Sequence, residues 1–432
     1  MQIDSPRVDE QIVETTVFEE LESNVRTYCR RFPAIFTRAR GDRMWDQHGR
    51  EYLDFMAGAG ALNYGHNHPT MKRALLGYLA EDRPVHTLDL HTPAKAAFLS
   101  AFRNVILAPR HLDYRVQFTG PTGANSVEAA FKVARRATGR SNIVAFTNGF
   151  HGGSLGALAA SGNLSKRSAG GVSLGDVVHL PYEGYLAGSM DTIAYLEAVL
   201  DDPAGGVETP AAVVVETVQG EGGLAAAGGE WLRRLEQVVR DRGILLIVDD
   251  IQAGCGRTGR FFSFEEAGIR PDLVCLAKSI SGFGLPMALT LIRPELDVLE
   301  PGAHAGTFRG NNLAFVTATA ALSLWADPAF EKEIQSLCAE FDARLTELAG
   351  RHPGLGAEVR GRGLMRGLFF ARPGVAAEVS RRAFERGVLT ETSGARGQVL
   401  KLMPPVTTEP ATLHTGLDRI ADSVRECAAD QS

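Results

Sequence analysis

Short runs in which every residue is apolar dominate the middle of this chain. Ala211–Val215, Ile244–Val248 and Leu273–Ala277 have no polar position on either face. A strand with one wet face alternates, so a run of this kind must be covered on both sides. Helical patterns lie between the runs. Residues 229–242 set Trp231, Leu232, Leu235, Val238 and Val239 on one face and stop at Gly243. A second helix is expected over 125–138. Strands are expected at 115–119, 142–147, 177–180, 211–219, 244–250, 273–278 and 288–292. This alternation implies an α/β fold, with a mostly parallel seven-stranded sheet covered by helices.

The chain has 432 residues, more than one compact core usually holds. After about residue 320 the pattern changes to a long helix (320–350), Gly-rich strands over 357–371, a helix near 375–386, and short strands near 387–390 and 398–402. A large domain over 61–320 is therefore expected. A smaller α+β domain over 321–432 is joined by the N-terminal segment 1–60. Within that segment, residues 1–14 are polar and read as loosely held. An amphipathic helix is expected over 15–31, followed by a hairpin turning at His48-Gly49.

Composition excludes several classes. A net charge of -6 gives no reason to expect nucleic acid or an anionic membrane as partner. No apolar run approaches the roughly 20 residues that span a bilayer, and no signal peptide is read. The five cysteines are scattered without metal or redox spacing, so reduced thiols, no metal and a cytoplasmic protein are expected.

Two of the buried runs end in charge. Ile244–Val248 leads into Asp249 and Asp250, and Leu273–Ala277 leads into Lys278. A lysine is ordinarily an edge cap and an acid ordinarily binds an arginine. Together at the ends of two buried strands they suggest pyridoxal phosphate chemistry. The lysine joins the cofactor as a Schiff base, and either aspartate keeps the ring nitrogen protonated. Other segments suit the same site. Phe118–Asn125 is a strand-to-helix turn, where bare amides and a helix dipole favour phosphate and Thr122 can add a hydroxyl. Asn148–Gly153 brings an aromatic, Phe150, and glycines that allow close approach. Gly306–Asn312 offers Thr307 to a phosphate, and Glu216–Gly223 places two acids in a glycine-rich turn. No Gly-x-Gly-x-x-Gly follows the first strand, which argues against a dinucleotide-binding dehydrogenase.

From Asp54 to about Thr407 these segments resemble the class III (ornithine/GABA type) aminotransferases that use pyridoxal phosphate. The resemblance implies fold type I. It assigns Lys278 as the Schiff-base lysine and Asp249 as the ring-nitrogen acid. Gln252 falls beside the cofactor's 3-oxygen, Gly123 and Ala124 at its phosphate, and Phe150, followed by His151, against its ring. Thr307 matches a threonine that reaches the phosphate of a neighbouring subunit, which implies a homodimer or larger homo-oligomer with active sites at the interface. Glu216 matches an acid that gates substrate binding by pairing with a base, usually arginine. Here that base is Lys401, a point charge without a bidentate fork, and Arg309 or Arg396 is expected to share the work. The chain's Thr122-Gly-Ala-Asn125 replaces a usual Ser-Gly-Thr-Glu, which removes one hydroxyl from the phosphate. Within the family, Phe18–Tyr28, Ala57–His66, Phe118–Gly123, Val215–Gly223, Asp249–Gly259 and Gly306–Gly310 resemble the members that move nitrogen from glutamate to aspartate 4-semialdehyde, the entry to ectoine synthesis. The expected partners are thus small amino and oxo acids. Other ω-aminotransferases (ornithine, putrescine, GABA) remain alternatives, as does diaminobutyrate supply for a siderophore or peptide pathway. An aminomutase or decarboxylase, or a non-catalytic regulatory module, would share the fold.

Overall fold

The computed structural model describes residues 13–430. Most of segment 1–14 therefore lies outside the described residues. The central sheet has seven strands in the order Arg115–Phe118, Leu289–Ile292, Leu273–Leu276, Leu245–Asp249, Ala212–Val215, Ile143–Phe146 and Val177–Leu180. Only Leu289–Ile292 runs antiparallel to its neighbours. The apolar runs form its centre, and Val213, Val214 and Val215 are buried on alternating faces of the sheet. Full burial of each such side chain contributes about 1.5–3 kcal/mol, so both faces must be covered. The helices Gly123–Thr138 and Gly229–Asp241 pack on the sheet. Asn312–Trp325 packs on Pro69–Ala80 and Pro93–Ala101.

Val218–Gln219 pairs with Ala225–Ala226 in a two-stranded sheet, and two four-stranded sheets accompany this layer. One joins Phe36–Arg40, Arg43–Asp46 and Glu51–Asp54 to Val388–Leu389, so the two ends of the chain meet in it. The other is antiparallel, in the order Ala357–Arg362, Met365–Phe370, Val399–Leu402 and Glu391–Ser393. Among the described residues, no single helix is long and apolar enough to cross a membrane.

Several elements differ from expectation. The helix expected over 15–31 is two short ones, Thr16–Leu21 and Tyr28–Arg31, and its apolar residues Phe18, Leu21 and Val25 are exposed. Within one chain that face meets no core, so nothing favours a continuous helix. The strand expected over 211–219 breaks at Glu216. The helix expected over 320–350 is two helices that meet at an 82° bend, where Asp327 caps the second and Pro328 begins it. The C-terminal helix Pro410–Ala429 was not expected.

Candidate active site

The carboxyl ends of the parallel strands open on one cleft, as the geometry of doubly wound sheets favours. Asp249 ends its strand opposite Cys275, and Lys278 opens a short 3-10 turn just past the end of that neighbouring strand, Leu273–Leu276. Asp249 Oδ2 lies 2.7 Å from His151 Nδ1, and the Ile251 amide donates to Oδ1 at 3.2 Å. Both side chains are buried. Burial alone would push the His151 imidazole down, but the Asp249 carboxylate raises it overall. Asp250 points elsewhere: its carboxylate accepts from the Ser263 amide at 3.2 Å, and burial pushes it up to about 7. Of the two acids, Asp249 is the one in the cleft.

Lys278 has φ +52°, a left-handed conformation that costs a non-glycine residue about 1–3 kcal/mol. Its Nζ donates to the Ala59 carbonyl at 2.9 Å. Burial, and then the positive charge of Lys401, push its amine down to about 8. Gln252 Nε2 donates to the same carbonyl at 2.9 Å, so Lys278 and Gln252 meet at one point.

Thr122 caps the helix that starts at Gly123, and Asn125 completes a capping box. The Thr122 hydroxyl is engaged there, with its Oγ1 2.8 Å from Asn125 Oδ1. The first-turn amides of Gly123 and Ala124 have no intrahelical partner. The loop carrying Phe150 and His151 presses on this helix end. A Cβ added at Gly152 would lie 2.5 Å from the Ala124 Cβ, and Gly152 has φ +140°, so only glycine fits.

The acid gate differs from expectation. Glu216 does not pair with Lys401. Its carboxylate turns back to accept from the amides of Phe150 at 2.8 Å and Gly220 at 3.3 Å. Burial pushes it above the usual carboxylate range. The acid facing Lys401 is Glu221, on the far side of the glycine turn, at 3.0 Å. Lys401 also lies 3.2 Å from Glu391 Oε2 and donates to Gln252 Oε1 at 3.1 Å. Its side chain is fully buried. Burial works to lower Lys401, but the two acids raise it. Burial also works to raise Glu221, but Lys401, Lys166 and Lys278 bring it well below the usual range.

Sequence reasoning had not singled out Lys166, Glu391 or the Ala59 carbonyl. Lys166 Nζ sits 4.1 Å over the Phe150 ring and 3.6 Å from Glu221. Lys166, Tyr185, Glu221 and Arg396 help line a cavity of about 510 Å³ at the mouth. Arg396 is exposed there. Arg309 and Thr307 are elsewhere within this chain. Thr307 is exposed and its carbonyl lies 2.8 Å from His86 Nε2. Arg309 reaches the His304 carbonyl at 3.4 Å and Asp89 at 3.8 Å. Among the described residues, no acid and histidine or cysteine cluster could hold a metal ion.

The comparisons agree with this geometry. The family model "Aminotransferase class-III" matches residues 26–424. A diaminobutyrate–2-oxoglutarate transaminase of Halalkalibacterium halodurans is 54% identical over 409 residues, covering 95% of this chain and 96% of that protein. A protein of the same name from Halomonas elongata is 52% identical over 418 residues, covering 96% of this chain and 99% of that one. The crystal structure of ornithine aminotransferase from Toxoplasma gondii superposes with a TM-score of 0.83 at 28% identity, covering 96% of this chain and 95% of that one. With sequence, fold and cleft in accord, the chain belongs to the class III aminotransferases.

Proposed function

We propose that the protein transfers the amino group of L-glutamate to L-aspartate 4-semialdehyde, giving 2-oxoglutarate and L-2,4-diaminobutyrate. The observation that carries the reading is the single cleft formed by Lys278, Asp249–His151 and the Lys401–Glu221 pair, in a chain whose full-length relatives bear the name of that transaminase.

The residues present suit pyridoxal phosphate. Lys278 is a lysine whose proton is loosened at neutral pH, and the unpaired amides of Gly123 and Ala124 suit a phosphate. Asp249 keeps lone pairs free beyond its bonds to His151 and Ile251. Pyridoxal phosphate, when bound, supplies the electron sink for a carbanion beside nitrogen. The chain's own residues do the rest. Lys278, freed as an amine, would take and return the proton of the substrate carbon. Asp249 would set its carboxylate against the ring nitrogen, and His151 fixes that carboxylate's orientation. Phe150 covers an apolar face, and Gln252 sets Lys278 and Lys401 in register. Lys401 holds a substrate carboxylate when Glu221 releases it, and Lys166 and Arg396 add positive charge at the mouth.

We further propose a homodimer or larger homo-oligomer, in which Thr307 serves a neighbouring subunit's phosphate site. The exposed position of Thr307 and the uncovered apolar face at Phe18, Leu21 and Val25 support this. We divide the chain into a large unit over 61–320 and a smaller one formed by 1–60 with 321–432. We place the enzyme in the cytoplasm, at the entry to ectoine synthesis; its five unpaired cysteines are consistent with a reducing compartment. The test is a coupled assay with 2-oxoglutarate as acceptor and diaminobutyrate, ornithine or 4-aminobutyrate as donor. The highest kcat/KM is expected with diaminobutyrate. Preference for either rival overturns the substrate assignment.

A further inference from the structure

We propose that Glu391 is a substrate-binding residue whose carboxylate receives the α-ammonium of the amino acid that exchanges its distal nitrogen. The inference rests on the proposed reaction and deepens it.

Glu391 begins the short strand Glu391–Ser393 and pairs in register with Lys401. It is 3% exposed. Its Oε1 accepts from the Tyr28 hydroxyl at 2.6 Å. Its Oε2 is ion-paired with Lys401 Nζ at 3.2 Å, and among the described residues no other donor reaches it. Lys401 also donates to Glu221 and to Gln252. Glu221 has a second cation, Lys166, at 3.6 Å, whereas Lys401 is the only cation within ion-pair distance of Glu391 among the described residues. Lys401 is shared among Glu391, Glu221 and Gln252, so the Glu391 carboxylate keeps acceptor capacity to spare, and a substrate ammonium is a group that fills it.

The two half-reactions differ in what they bring to this position. Diaminobutyrate and aspartate 4-semialdehyde carry an ammonium and a carboxylate on one carbon. With their distal carbon at Lys278, that carbon faces the Lys401–Glu391 pair, carboxylate to lysine and ammonium to glutamate. Glutamate reacts through its α-nitrogen and presents only a carboxylate at its far end. Glu391 therefore favours one half-reaction by a charge the other substrate lacks. A purely structural Glu391, serving only to hold Lys401, would act equally on every substrate with a carboxylate.

The test is Glu391→Gln, which preserves size and can still accept from Tyr28. Diaminobutyrate is compared with 4-aminobutyrate, which differs by lacking the α-ammonium. Single-turnover kcat/KM is measured on the holoenzyme for both, with inhibition constants of 4-aminobutyrate against diaminobutyrate as a second readout. The diaminobutyrate-to-4-aminobutyrate ratio should fall about 10- to 100-fold, the effect of a lost charged hydrogen bond. Tyr28→Phe should lower the same ratio by a smaller factor, which keeps the test open if the first variant folds poorly. A ratio unchanged within about threefold, whether both rates fall or neither does, overturns the role. Wild-type enzyme that prefers ornithine would overturn the substrate assignment alone. Glu391 would then be tested in the same way with ornithine against 5-aminopentanoate.

Discussion

Replacing Lys278 by methionine should make the cofactor-free protein more stable and catalytically dead. Lys278 is held at about 8 against its ordinary 10.5 by burial and by Lys401. At about 1.4 kcal/mol for each tenfold change in acidity, that displacement opposes folding by about 3 kcal/mol at pH 7. The hydrogen bond to the Ala59 carbonyl offsets about 1 kcal/mol of it, so Lys278→Met should gain about 2 kcal/mol. Methionine is of similar length and meets the same φ of +52°, so backbone strain cancels in the comparison. The sign follows from linkage. Between about 8 and 10.5 the unfolded chain binds more protons than the folded one, so wild-type stability rises with pH through that window. The gain of the variant is complete below pH 8 and fades as pH approaches 10.5. The assay is denaturant unfolding of both apoproteins at pH 7 and pH 10 at matched protein concentration. Equal midpoints at pH 7, or a difference that persists at pH 10, would refute the reasoning. The same displacement leaves about 300 times more free amine at pH 7 than an ordinary lysine would have, so the stability loss and the reactivity share one cause.

Other outcomes follow from the same geometry. Asp249→Asn should lower kcat/KM by at least about 100-fold with cofactor in excess, as expected for loss of a preorganised charge; steady-state kinetics checks it, and a loss under threefold contradicts it. Glu216 is raised by burial, so the folded state binds its proton more tightly than the unfolded one and stability falls as pH rises above about 4.5. Glu216→Gln should therefore gain stability relative to wild type between pH 5 and pH 8, read from denaturant midpoints. Gly152→Ala should weaken cofactor binding at least about 10-fold, because its Cβ meets Ala124 and its φ suits only glycine; fluorescence titration of the apoprotein measures it.

The sheet was legible because runs such as Ala212–Val215 are apolar at every residue, a pattern that only a strand covered on both faces produces. The helix Pro410–Ala429 was missed although Leu413, Leu417, Ile420 and Val424 are buried along one face. That spacing is helical; Gly416 lowers the local propensity, and it is required only because Phe55 packs against it in the fold. The break at Glu216 was hidden because neighbours on both sides read as strand. Its carboxylate, turned back to the amides of Phe150 and Gly220, interrupts the ladder. Sequence spacing could not decide between Glu216 and Glu221, since the two acids lie five residues apart on either side of the short strand Val218–Gln219 and only the fold aims Glu221 at Lys401. Lys278 and Asp249 could be found because each ends a buried run. Glu391 could not, because it begins a three-residue strand and becomes notable only when the Val399–Leu402 strand brings Lys401 beside it. Thr307 and Arg309 lie away from the cleft within this chain, and nothing in their local sequence distinguishes that from a place inside it.

The central claim is that Lys278 carries the cofactor. The most direct measurement is borohydride reduction of the protein after incubation with pyridoxal phosphate, followed by peptide mapping. A single pyridoxyl adduct on the peptide containing Lys278, absent from Lys278→Met, is the predicted result. A protein that stays colourless and untagged, or an adduct confined to another of its lysines, would contradict it.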